Sequence, residues 1–135
     1  MAKDMEILKR SDMDPAGCWN TADLFATDEA WQAEFDASQS LTTQAAAYQG
    51  RLGESAQTLY DYLTWLEQTN TRVEKLFCYA FLRNDEDTAN PTYQAMKGRC
   101  YTFVVALGSA TAFEGPELVA IPDETLDRFY REKPE

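Results

Sequence analysis

Asp85, Glu86 and Asp87 stand side by side in the run NDEDTAN. Successive carboxylates are the donors that hold a hard cation through oxygen. A calcium loop of the EF-hand kind also needs glycine at its sixth position and glutamate at its twelfth. Counted from Asp85, those positions are Asn90 and Met96, so the loop fails at both. A magnesium site would need substrate phosphates for its remaining ligands, and no glycine-rich phosphate loop is present. The bland explanation covers more. The run lies just ahead of a helix start, where the helix dipole favours negative charge by roughly 0.3–1 kcal/mol per residue. It predicts a junction and cap between two helices.

Other chemistries are limited by one absence: the chain has no histidine. Imidazole catalysis and histidine-containing zinc sites are excluded. Cys18, Cys78 and Cys100 show no CxxC spacing, and their odd number closes no complete disulfide framework, which predicts reduced thiols. Serine, threonine or cysteine nucleophiles would need another base, and nothing marks one. No acidic pair suited to glycoside hydrolysis stands out among the 23 acids. Trp31, Tyr60, Tyr62, Trp65, Tyr79 and Tyr93 read as core and interface material. Arg51, Arg72, Arg83 and Arg99 read as partners of nearby carboxylates. No catalytic, cofactor-binding or metal residue is assigned.

The 135 residues fit one domain, and 44% hydrophobic with 13% aromatic content is enough to bury a core. A net charge of −11 opposes nucleic acid and anionic membrane surfaces as partners. The opening MAKDMEILKRSDMD lacks the apolar segment of a secretory signal, and FVVAL (103–107) is too short to span a bilayer. A soluble, cytoplasmic protein is expected.

The elements follow from caps and periodicity. Residues 1–26 form an N-terminal extended segment, and 27–135 a single helical domain. Thr27 followed by Asp28 and Glu29 predicts a helix start, with Trp31, Phe35, Leu41, Ala45 and Tyr48 on one face and Gly50 as the stop. Ser55 caps a second helix carrying Leu59, Leu63, Leu66, Val73, Leu76 and Ala80. Between residues 67 and 72 its pattern fades, leaving a continuous and a broken helix both open. Asn90 and Pro91 start a third, running to about Phe113 with Tyr93, Met96, Cys100, Val104, Leu107 and Thr111 inward. Phe103 and Val105 make it apolar on more than one side. Gly98, Thr102, Ala106 and Ser109 predict tight packing inside a bundle. Gly115 and Pro116 open a short turn, PELVAI, before a last amphipathic helix from Asp123 anchored by Leu126, Phe129 and Tyr130. The expected fold is all-α, an antiparallel bundle of long helices.

Four stretches in order then carry a resemblance: WNTADLFATDEAW (19–31), YQGRLGESAQTL (48–59), KLFCYAFLRNDEDTANPTYQAM (75–96) and SATAFEGPELVAIP (109–122). Together they resemble the N-terminal region of oligoendopeptidase F, in the thimet-oligopeptidase family of zinc peptidases. The family patterns are W-x-L-x-D-L-F, Y-x-G-x-L, Y-A-x-L-x-x-D-x-D-T-x-N-x-x-Y-Q and F-x-P-E-L. Thr21 and Ala22 depart from the first, while Asp23, Leu24 and Phe25 hold, and the last carries Glu114 and Gly115 between Phe113 and Pro116.

The resemblance implies the N-terminal helical lobe of a larger peptidase whose zinc and HExxH helix lie outside this sequence. It implies a lobe inactive alone, forming part of the substrate channel wall, with the catalytic domain of the same polypeptide as partner and short peptides as substrates of the whole enzyme. Phe103, Val104 and Val105 would then lie where the catalytic lobe docks. The alternative is a stand-alone binding or assembly module, with a homodimer covering the apolar faces.

Overall fold

The computed structural model describes residues 8–134, all helix, turn and connector. Residues 1–7 of the N-terminal segment and Glu135 lie outside that range. Residues 8–26 run through three single 3-10 turns, Arg10–Asp12, Pro15–Gly17 and Thr21–Asp23. Six α-helices follow: α1 (Asp28–Ser38), α2 (Leu41–Ala45), α3 (Ala56–Glu86), α4 (Pro91–Ala110), α5 (Glu114–Ala120) and α6 (Asp123–Glu132).

The three long starts are made by local capping. The Thr27 hydroxyl accepts from Ala30 N at 3.2 Å, that of Ser55 from Thr58 N at 3.0 Å, and the Asn90 side-chain oxygen from Thr92 N at 3.0 Å. Each satisfies an amide that the first turn leaves without a partner. Pro91 sits at the first position, where no amide hydrogen is needed.

Elsewhere packing and side-chain competition redraw the expected boundaries. The single helix predicted from 28 to Gly50 is broken at Gln39 and Ser40. There Ser38 Oγ donates to Glu34 O, Gln39 Nε2 to Phe35 O and Ser40 Oγ to Ala37 O, drawing those carbonyls away from the ladder. Gly50 does end the segment, at φ +79°, a left-handed conformation that a β-carbon disfavours. In contrast α3 is continuous over its 31 residues. Thr69, in the weak stretch, is buried, and Arg72 pairs with Glu34 of α1, so tertiary contacts offset the few tenths of a kcal/mol that such residues cost a helix.

α4 stops at Ala110 rather than Phe113, and Thr111 Oγ1 donates back to Leu107 O at 3.1 Å. The segment expected to be a turn after it is helix α5. Gly115–Pro116 looks like a turn signal, yet Pro116 falls in the first turn of α5, where its missing amide hydrogen costs nothing.

α3 and α4 form an antiparallel hairpin around which the rest is placed, and α3 divides the interior in two. Its C-terminal half joins Trp31, Phe35, Leu41, Met96, Cys100, Phe103 and Leu107 in one core. Its N-terminal half packs Leu59 and Tyr62 with Leu52 and Phe129 in a second. Trp65 touches both.

Candidate functional site

Two contact clusters and one uncovered face carry the functional reading. The first cluster lies where the N-terminal segment, α1 and the α3–α4 hairpin meet. Asp28, the first residue of α1, accepts from the Tyr79 hydroxyl at 2.7 Å and from that of Tyr93 at 3.3 Å, with Arg83 Nε 3.5 Å away. Arg83 also donates to Tyr93 Oη and to Glu86 at 3.0 Å, and Arg10 reaches Glu86 at 2.9 Å. Phe25 closes the cluster edge-on to the Tyr79 ring at 5.4 Å. Burial and then the neighbouring carboxylate push the Tyr79 phenol up from its ordinary pKa, so it stays a neutral donor.

The acidic run acquires a specific description here. Asp85 and Glu86 belong to the last turn of α3 rather than to the approach to α4, so the dipole of their own helix disfavours them. Arg10 and Arg83 compensate at Glu86. Asp87 makes the connector, accepting from Ala89 N at 3.3 Å, and Gln94 Nε2 donates to Thr88 O at 2.7 Å. All four arginines expected to pair do so: Arg51 with Glu54, Arg72 with Glu34, Arg83 with Asp28 and Glu86, and Arg99 with Asp36.

The second cluster joins parts of the chain far apart in sequence. The Glu117 carboxylate on α5 accepts from the backbone N–H of Gly50 and, at 3.3 Å, of Leu52, while Glu114 accepts from the Tyr62 hydroxyl at 2.9 Å. This clamp holds the left-handed Gly50 turn beside Leu52, which is fully buried in the second core. Glu117→Ala should cost about 1–3 kcal/mol, because two amide donors lose a charged acceptor. Chemical denaturation should show a smaller loss for Glu117→Gln.

The uncovered face is the back of α4. Its inward side is Met96, Cys100, Phe103 and Leu107. Phe103 therefore takes the core place expected for Val104, which is exposed with Tyr101 and Val105. The small residues Gly98, Thr102, Ala106 and Ser109 are exposed too, and do not pack inside the bundle as expected. Gly98, Thr102 and Ala106 edge an open groove of about 500 Å³ whose other side is Phe35, Gln39 and Thr42. Tyr130, expected as an anchor of α6, likewise points outward while Phe129 is buried.

The chain is 35% identical to oligopeptidase PepF of Bacillus subtilis over 133 residues, covering 98% of this chain and 20% of that protein. The chain is a relative of oligoendopeptidase F. It is also 27% identical over 126 residues to group B oligopeptidase PepB of Streptococcus agalactiae, covering 93% of this chain and 21% of that one. The fold matches oligoendopeptidase F of Enterococcus faecium at TM-score 0.72 and 22% identity, over 80% of this chain and 21% of that chain. No family model matches. The chain spans about a fifth of the length of the curated relatives it matches.

The stretches shared in pattern with oligoendopeptidase F meet in space as pairs. The first touches the third through Phe25 and Tyr79, and the second touches the fourth through Gly50 and Glu117. Trp19, which opens the first pattern, is the exception at 76% exposed. Zinc, which the resemblance implies for a whole peptidase, finds no donor set here. The sequence has no histidine, and among the described residues no three Cys, Asp or Glu side chains converge to hold an ion. Cys18, Cys78 and Cys100 are unpaired, and burial pushes the Cys100 thiol up to about 11. A thiol reagent at mildly alkaline pH should modify exposed Cys78 first and leave Cys100 until the chain unfolds, as read by peptide mapping.

Proposed function

We propose that the chain serves as the N-terminal helical lobe of a cytoplasmic zinc metalloendopeptidase that hydrolyses short oligopeptides. In this reading the lobe forms part of the substrate channel wall, is inactive alone, and has the catalytic domain of the same polypeptide as its partner. One observation carries it: 98% of the chain aligns at 35% identity with only 20% of oligopeptidase PepF. The contact clusters support it, since Tyr79, Tyr93, Gly50 and Glu117, all within the stretches that carry the resemblance, are occupied in holding helices together. They make a frame for chemistry supplied elsewhere.

The size of the native polypeptide tests this directly. An immunoblot of source cells, with an antibody raised against these residues, should show a band far above 15.3 kDa. A band at 15.3 kDa would overturn it. The exposed apolar back of α4 would then favour the second reading, a stand-alone binding or assembly module.

A further inference from the structure

Resting on that lobe reading, we infer that the back of α4 seats an apolar helix from the remainder of the peptidase polypeptide, with a carboxylate on the end that faces Lys97. From Cys100 to Phe113 the sequence has no charged residue. Yet Tyr101 is 51% and Val105 67% exposed, with Val104 exposed beside them. Soluble proteins seldom leave so continuous an apolar surface without a partner.

The shape of the face fits a helix. Stacked Phe77 and Phe81, 3.9 Å apart and met edge-on by Tyr101, form a raised wall on one side. On the other lies the groove edged by Gly98, Thr102 and Ala106, and a β-carbon built at Gly98 would meet nothing within 4 Å. A second helix can lie against that floor with its side chains between wall and groove.

Charge selects the occupant. Lys97 and Arg99 are the charged residues of α4, both cationic and both in its N-terminal half, in a chain of net charge −11. Arg99 already pairs with Asp36, which leaves Lys97, over the Phe81 ring at 4.3 Å, to meet the occupant. By length and composition Pro91–Ala120 could also cross a membrane, although the sequence contains no long uninterrupted apolar run. A second copy or an anionic lipid surface, however, would bring this acidic chain against like charge. The relatives supply an occupant in the same polypeptide, since about four fifths of PepF, and of the Enterococcus faecium chain, lie outside the matched region.

The test is a chimera in which this chain replaces its aligned segment in B. subtilis PepF, assayed on a fluorogenic oligopeptide with zinc. Val105→Cys should react with a thiol reagent in the isolated chain and be slowed about tenfold or more in the chimera, with Gln57→Cys unaffected in both. The reaction is followed by mapping of the peptide that carries residue 105, because exposed Cys78 reacts too. Val105→Glu should lower the melting temperature of the chimera and leave that of the isolated chain unchanged. Equal labelling in a folded chimera would overturn the seat, and peptide hydrolysis by the same chimera would show the lobe reading surviving it. Protection without hydrolysis would uphold the seat and count against the lobe reading. A chimera insoluble where PepF itself is soluble also counts against the seat. So does Val105→Cys protected in the isolated chain, whether by dimerisation as concentration rises or by added anionic vesicles.

Discussion

Trp31→Ala should remove about 3–5 kcal/mol of stability, a large part of the ~5–15 kcal/mol that holds a domain together. Trp31 has no exposed surface, stacks on Phe35 at 5.0 Å, and donates its indole N–H to Leu76 O at 2.9 Å. Truncation empties the place where α1 leans on α3, and leaves the Cys100 thiol at 3.8 Å as the side-chain donor to that carbonyl, beside its own helix ladder. Trp31→Phe keeps much of the ring and loses the hydrogen bond, so about 1–3 kcal/mol is expected. Urea midpoints decide the matter. Trp19→Ala, at a 76% exposed position, is the reference, and if Trp31→Ala moved the midpoint no further, Trp31 would not be a core residue.

The contrast between these two tryptophans marks what the sequence discloses. Helix starts are legible because a cap acts over two or three residues: Thr27, Ser55 and Asn90 each serve the helix they precede. Interruptions are less so. Ser38, Gln39 and Ser40 break α1 from α2 by bonding to carbonyls of the preceding turn, a choice they could equally have left to solvent. Thr69 has the propensity to end a helix and does not, because it is buried. On α4 apolar residues occur all round, so periodicity fails to choose between Phe103 and Val104.

The two contact clusters were hidden for another reason. Glu117 and Gly50 are 67 positions apart, and Asp28 and Tyr79 are 51 apart, so no local pattern announces either pairing. The only available signal was that Tyr79, Tyr93, Gly50 and Glu117 all fall within the stretches shared in pattern with oligoendopeptidase F. The resemblance assigns these residues no role, and the structure shows their work to be mutual support.

Asp28→Ala should therefore destabilise the chain by about 2–3 kcal/mol at neutral pH, as hydrogen bonds to a charged acceptor are lost. It removes the acceptor of Tyr79 and Tyr93, the ion partner of Arg83 Nε, and a negative charge from the first turn of α1. Asp28→Asn keeps one oxygen and should lose less. The alkaline limb separates this network from simple packing. Because burial and then Asp28 raise the Tyr79 phenol, the unfolded chain gives up that proton first as pH rises. The stabilising contribution is thus complete below about pH 10 and falls above it, by up to about 1.4 kcal/mol per pH unit per such phenol. Tyr62, raised by burial and then Glu114, behaves alike and is untouched by the substitution, so it serves as an internal control. In Asp28→Ala the contribution of burial remains and that of the carboxylate goes. Tyr79 should titrate at lower pH, and the loss of stability should level off earlier. Phenol titration by ultraviolet absorbance, with Tyr79→Phe to assign the change, reads this out. If the folded Asp28→Ala chain titrated like the parent, burial alone would hold Tyr79 neutral, and the join between α1 and the α3–α4 hairpin would rest on packing rather than on this carboxylate.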